Sequence, residues 1–533
     1  MDPRRNPRTA LLAALALLPA CTTEYAVRDA DLEVEEILEE IDRTQIASRV
    51  ESLVQPEPNP APSPGAETGD APQPPSEPTP RTLRLDLREA IRLAVRQSRD
   101  YQTQVESLYL QALALSGTRR DFSPQLSGIL SYVFADADRI LPSYTGSAGV
   151  SASQILPLGG TVTLSGDQNV AGAFDSGDDL YDAALSLSYQ QNLLRGVGYE
   201  ASHDALIQAE RSIVYAARDF ELFRQDFSVD VARRFYDLVA QQRVVENTRT
   251  RTESARHTLA QSEALHRVGQ LNRVELYRAQ EEALSSENSL LTAEQSFEDA
   301  LDAFKILLAL PTEAHLEIEP DEPEFVPVDM TLASAIGAAE ANRLDFKTTG
   351  DQREDALRSV RIASQGLRAD LDLNVAAVLS SPPEPHLRDQ QLSNTSFTAG
   401  VTLGLPLDRK DERNAYRSAL IGLDRARRSY ELARDNLALE VRSSLRELRR
   451  SATSLDIQRR TIESEDRRLR IATIQFRAGN VSNRDVVEAE QGLLDARNSE
   501  IGERVDYEIA RLRLLRTLGT LVLDDEGLWI EGS

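Results

Sequence analysis

The stretch QFRAGNVSNRDVVEAEQ, residues 475–491, interrupts a long, highly charged segment of helix-forming composition. Arg477-Ala478-Gly479 is followed by a small polar run and then by an amphipathic restart. A glycine inside a helix costs about 1 kcal/mol relative to alanine, so its place here requires a reason. LHRVGQLNRVELYRAQE at 265–281 has the same grammar around Arg267-Val268-Gly269. The two glycines stand 210 residues apart, and that spacing opens the question of a larger repeat.

The repeat extends well beyond the glycines. DFELFRQDFSVDVARRFYDL (219–238) aligns with SYELARDNLALEVRSSLREL (429–448) at the same offset of 210, and no gap intervenes before Gly269 and Gly479. Earlier in each half, LDLREAIRLAVRQSRDYQ (85–102) matches DMTLASAIGAAEANRLDFK (329–347) at an offset of 245, with Leu87 opposite Leu332 and Asp100 opposite Asp345. Each half, 81–325 and 326–533, therefore reads as helix, variable middle, long helix, Arg-x-Gly interruption and helix. The first half carries 35 more residues in its middle, the difference between the two offsets.

The middles read as strands, over about 126–191 and about 370–407. LDLNVAAVL (371–379), FTAGVTLGL (397–405) and ALSLSYQQ (184–191) alternate apolar and small polar residues, the period-two signal of a half-buried strand. GVSASQIL (149–156) and GTVTLSGD (160–167) flank the turn-like Pro157-Leu158-Gly159-Gly160. The surplus is the size of one inserted hairpin, or of a long extracellular loop.

Composition sets the class. The chain has 533 residues, a net charge of −26, 41% hydrophobic residues and only 5% aromatic residues, which suits long solvated helices better than deep cores. Nucleic acid is excluded as a partner by this acidity, since phosphate binding requires a concentrated basic surface. MDPRRNPR, then TALLAALALL, then LPAC have the layout of a signal peptide over 1–20, and the apolar run is too short to span a bilayer permanently. Cys21, the only cysteine, follows at once. The layout resembles a bacterial lipoprotein signal, which implies a covalent lipid on Cys21; an exported protein with a cysteine there by chance is the alternative. A segment over 21–80 then acts as a tether: 30–50 is compatible with a short amphipathic helix, and PEPNPAPSPGAETGDAPQPPSEPTP (56–80) is too rich in proline for helix or sheet.

Helix length narrows the reading further. No proline interrupts Ala201 to His266 or Glu412 to Phe476. Each span reaches roughly 100 Å at ~1.5 Å per residue, far more than a bilayer requires, and must cross an aqueous compartment.

An exported, lipidated chain with paired strand clusters and two such helical hairpins resembles the TolC-like outer membrane efflux family, from Arg81 to Trp529. The resemblance implies a mainly α fold with a β-barrel portion: a homotrimer sharing one transmembrane β-barrel, usually with four strands per protomer, above a long coiled-coil α-barrel. The surplus here leaves four and six strands both open. In the family an Arg-x-Gly turn closes each helical hairpin, and the tips dock to a periplasmic adaptor. Arg267, Gly269, Arg477 and Gly479 take those places. Locally, the glycines supply a positive φ and the arginines complement the helix dipole. Asp485 and Glu488 share one helix face and match the positions of acids that ring the family's closed aperture; a solvated face of an acidic protein is the plainer reading. Glu275 and Arg278 occupy the equivalent places after the first tip.

No catalytic pattern competes. The five histidines are scattered, no ligand spacing or nucleophile elbow occurs, and Arg195-Gly196-Val197-Gly198 reads as the connection from a strand into the helix near Ala201. The reading is a non-enzymatic exit duct without cofactor, working through an adaptor with an inner-membrane pump or ABC transporter. A non-transporting, membrane-anchored coiled-coil scaffold is the alternative. Drug, metal, siderophore and polypeptide cargoes all fit a duct of this kind.

Overall fold

A computed structural model describes residues 23–41, 83–137, 140–173, 179–319, 325–478 and 480–530. The signal segment, Cys21, the proline-rich stretch and Gly479 lie outside them.

The elements run α1 (Thr23–Ile41), β1 (Leu83–Leu85), α2 (Leu87–Gln97), α3 (Arg99–Phe122), β2 (Gln125–Ala137), β3 (Ile140–Ile155), β4 (Thr161–Ala173) and β5 (Leu180–Asn192). There follow α4 (Tyr199–Ser202), α5 (Asp204–Arg267), α6 (Arg273–Leu307), β6 (Leu316–Ile318), α7 (Leu332–Asn342) and α8 (Leu344–Gln365). The chain then forms β7 (Asp370–Ser380), β8 (Asn394–Gly404), α9 (Lys410–Arg477) and α10 (Asn483–Leu518). The two long helices have 64 and 68 residues, within three residues of the ends read from the sequence. α1 starts seven residues before the segment expected to be helical. Gly196 and Gly198, with φ of 71° and 101°, turn the chain from β5 towards α4 and α5, as their place in the sequence suggested.

Two compact units result, each assembled from both halves of the chain. Among the described residues, the first takes 23–41, Ser107–Ala217 and Thr348–Glu431. Its centre is one six-stranded antiparallel sheet in the order β2-β3-β4-β5-β7-β8. Neighbours in sequence are neighbours in space, and β5 meets β7 across the two halves, with Leu187 opposite Ala377. The 35 surplus residues are thus resolved as a hairpin, β3-β4, inside the sheet. α1 lies on α3: Val34, Ile37 and Leu38 are buried, Tyr109 and Ser116 donate to Asp31 and Glu33, and Arg119 reaches Glu40 at 2.8 Å. Where α5 meets α8, Asp355 accepts from Tyr215 at 2.6 Å and from Arg358 at 2.8 Å, and Arg211 stands 2.6 Å away. Arg358 also reaches Asp204 at 2.9 Å. Charges so enclosed persist because each is paired.

Among the described residues, the second unit takes 83–106, Arg218–Lys347 and 432–530. β1 pairs in parallel with β6, Leu83 opposite Leu316. Buried Tyr101 packs against Phe220, Phe223 and Phe227 with ring centroids 5.3–6.0 Å apart. Such offset and edge contacts add stability beyond the area they bury. Arg343 holds Asp345 at 2.8 Å and Glu440 at 2.6 Å. α10 stops at Gly519, whose φ is 70°; the last residues fold back, where Arg224 donates to the Asp524 carbonyl at 2.9 Å.

Candidate functional site

The two hairpin tips and the two faces of the sheet carry the candidate functional features. At the first tip α5 ends on Arg267, and Gly269 has φ of 76°. Gln270 N donates to Leu265 O at 2.9 Å and Gly269 N to His266 O at 3.0 Å, the paired bonds that close a helix through a left-handed glycine. Asn272 then starts α6 by accepting from Glu275 N at 2.9 Å. Arg267, Val268 and Gly269 are all exposed. At the second tip α9 ends on Arg477, and Asn480 N donates to Gln475 O at 2.9 Å, the counterpart of the Gln270–Leu265 bond. Ala472, Val486 and Ala489 are buried beneath it, with Leu469 and Phe476 packed against them.

The acids beyond the second tip have partners within their own hairpin. Ser482 N donates to Asp485 Oδ2 at 2.9 Å and Ser482 Oγ does so at 2.7 Å, so Asp485 closes the first turn of α10. The Ser482 hydroxyl holds its carboxyl below the usual carboxylate range. Glu488 pairs with Arg484 at 2.8 Å and lies 3.8 Å from Arg468. Both acids are exposed. After the first tip Glu275 pairs with Arg278 at 2.7 Å, so the difference between the tips persists in the structure. The sequence did not reveal an open groove of ≈ 530 Å³ beside Asp485, lined among others by Arg460, Arg467, Ile471 and Gln475. Its signal was there in retrospect, as residues recurring every three or four positions on one stripe of α9.

One prediction belongs to the first tip. Asn272→Ala removes the cap of α6 and is expected to cost about 1 kcal/mol, read as faster amide exchange confined to residues 273–276. Unchanged exchange there would mean that the turn does not depend on its cap.

The sheet separates two chemistries. Register places Leu126, Leu130, Tyr132 and Phe134 of β2 on the face shared by Leu164, Leu187, Val375 and Phe397. The opposite face carries hydroxyls: Ser127 and Ser151 lie 2.7 Å apart, Ser131 and Ser147 2.6 Å, Ser165 and Ser186 2.7 Å. Ile129 and Val133 on β2 interrupt it. Apolar side chains are well exposed, Leu126 at 73% and Phe397 at 70%. No helix among the described residues is long and apolar enough to cross a membrane; the alternating strands are of the kind that crosses as a barrel. β2 falls within the 126–191 strand region but was not singled out in it, although Leu126, Leu130, Tyr132 and Phe134 alternate with Ser127, Ser131 and Val133.

Comparison with known proteins places these features. Residues 335–520 match the family model described as outer membrane efflux protein. The chain is 26% identical over 304 residues to the cobalt-zinc-cadmium resistance protein CzcC of Cupriavidus metallidurans, covering 55% of this chain and 68% of that one. Among solved structures, the CmeC outer membrane channel of Campylobacter jejuni superposes with a TM-score of 0.62 at 16% identity, over 84% of this chain and 87% of that chain. VceC of Vibrio cholerae gives 0.61 at 17% identity, over 81% and 96%. With helices, sheet and sequence all pointing the same way, residues 335–520 carry an outer membrane efflux protein domain, and the chain has the fold of the solved outer membrane channels.

Proposed function

We propose that the chain forms the outer-membrane exit duct of a tripartite efflux or type I secretion system and is not an enzyme. The observation that carries this is the sheet: six strands with one apolar and one hydroxyl-lined face, and with free edges at β2 and β8. Open edges are not tolerated in lipid. Copies of the same chain, three in this family, pair β8 of one with β2 of the next and so close a water-filled barrel. The helices extend into the periplasm as an α-barrel. Arg267, Gly269, Arg477 and Gly479 form tips that dock to an adaptor, and through it to an inner-membrane pump or ABC transporter. Asp485 and Glu488, repeated around the axis, ring the closed end, and their mutual repulsion favours opening. Cys21 carries the lipid. At 26% identity to a cobalt-zinc-cadmium resistance protein, divalent transition-metal ions are the first cargo to test.

The test is conductance. Purified protein in a planar lipid bilayer is expected to give discrete openings, more frequent when Asp485→Asn and Glu488→Gln are absent than when both are present. A protein that inserts without any conductance would be the scaffold instead of the duct.

A further inference from the structure

The hairpin β3-β4 is the part of the sheet that the second half of the chain does not match, and its register decides what it does. Leu126, Ala152, Leu164, Leu187, Ala377 and Phe397 are successive partners across all six strands, forming one apolar row. One residue along, Ser127, Ser151, Ser165, Ser186, Val378 and Ser396 form the row behind it. β3 and β4 thus continue both faces without a break. β3 pairs with β2 over most of its length, and with β4 from Ser143↔Ala173 to Ile155↔Thr161. A hairpin lying over the membrane or plugging a lumen would bury one chemistry and waste the other. At 16 and 13 residues, both strands exceed the ~9–11 that a tilted strand needs to cross a bilayer.

Resting on the duct reading above, we infer that β3-β4 is barrel wall, that three copies close eighteen strands where the family's usual pattern gives twelve, and that the outlet is correspondingly wide. At about 4.8 Å between strands and a tilt of about 40–45°, each strand takes about 6–7 Å of circumference. Eighteen make about 110–120 Å, and twelve only about 75–80 Å. In each copy α3 and α8 lead into the sheet, and α5 and α9 lead out of it. Twelve helices packed side by side at about 8–10 Å need about 95–120 Å. The wider barrel matches that ring, so the outlet is no narrower than the helical conduit feeding it. The outlet therefore sets no tighter limit on cargo size than the helices do. Barrels of sixteen to eighteen strands are in the range that keeps an open aqueous channel.

Electron microscopy of the full chain in lipid nanodiscs reads this directly. A threefold ring of eighteen strands about 1.5 times as wide as a twelve-stranded one is expected. A twelve-stranded ring with residues 140–173 outside the wall would overturn the inference and leave the duct standing. Particles with no closed ring would overturn both.

A second measurement does not depend on counting strands. Cys21 is the only native cysteine, so thiols placed one at a time in the hairpin can be followed against the unsubstituted chain. In proteoliposomes Ser151→Cys and Ser165→Cys are expected to react with a hydrophilic maleimide more than about tenfold faster than Ala152→Cys and Leu164→Cys, because a thiol facing lipid stays protonated and dry. Equal rates at neighbouring positions would place the hairpin in water on both sides and remove it from the wall.

Discussion

Gly519→Ala is expected to be among the most damaging single-atom-group additions to this chain. Gly519 ends α10 in the left-handed region, with φ of 70°, where a side chain costs about 1–2 kcal/mol. A Cβ there would also stand 2.9 Å from Arg343 N and from the Asn342 carbonyl carbon. These are backbone atoms at the end of α7, held by the Arg343 N–H to Ala339 O bond of 3.0 Å, so they cannot swing aside as a side chain would. Overpacking of this kind adds about 1–3 kcal/mol, for a total of about 2–5 kcal/mol. Gly269→Ala is the matched control. Its φ is 76°, yet nothing lies within 4 Å of the added carbon, so only the conformational part applies. Thermal melts of the detergent-purified variants, followed by helical circular dichroism, should show the larger loss at Gly519. Equal losses at the two sites would show that the contact with α7 yields and that the turn alone sets the cost.

The other large effect is expected in the sheet. Leu187 lies near the middle of β5 on the apolar face, between Leu164 and Ala377. In the proposed barrel Leu187→Arg places a charge against lipid, which costs about 2–4 kcal/mol near the bilayer midplane and recurs in every copy. Ser186→Arg, one residue away, points to the hydroxyl face, where water can solvate the guanidinium. The expected result is a severe loss of Leu187→Arg protein from the outer membrane fraction, while Ser186→Arg accumulates near the normal level. Comparable levels of the two would be fatal to the two-faced wall. Loss of both would instead show that the lumen at this depth is too tight for an arginine, which contradicts a wide outlet.

Much of this was legible in the sequence because it is local. An uninterrupted helix-forming composition fixed α5 and α9 to within a few residues, since proline and glycine act where they stand. The Arg-x-Gly grammar marked where both long helices stop, and at Gly269 a left-handed residue closes the helix. Period-two alternation exposed β3, β4, β5, β7 and β8. β2 was harder to see, because Gly128, Ile129 and Val133 blur its alternation. Asp485 and Glu488 illustrate the limit at a site. Their shared helix face follows from spacing, but the sequence does not reveal that Asp485 accepts from Ser482 or that Arg468, on the other helix of the hairpin, approaches Glu488.

By itself, then, the sequence determined the long helices, where they stop and the strand periodicity. Each of these depends on residues a few positions apart, where sterics and amphipathicity decide. Only the tertiary structure decided that the 35 surplus residues form a hairpin within the sheet, because loop and hairpin share a composition and differ in what pairs with their backbone. Only it decided that the compact units cut across the two halves, with β5 beside β7. Satisfying the N–H and C=O groups along the edge of β5 requires a strand from the other half, and hydrogen-bonding partners so distant in the chain leave no mark on the sequence around either strand.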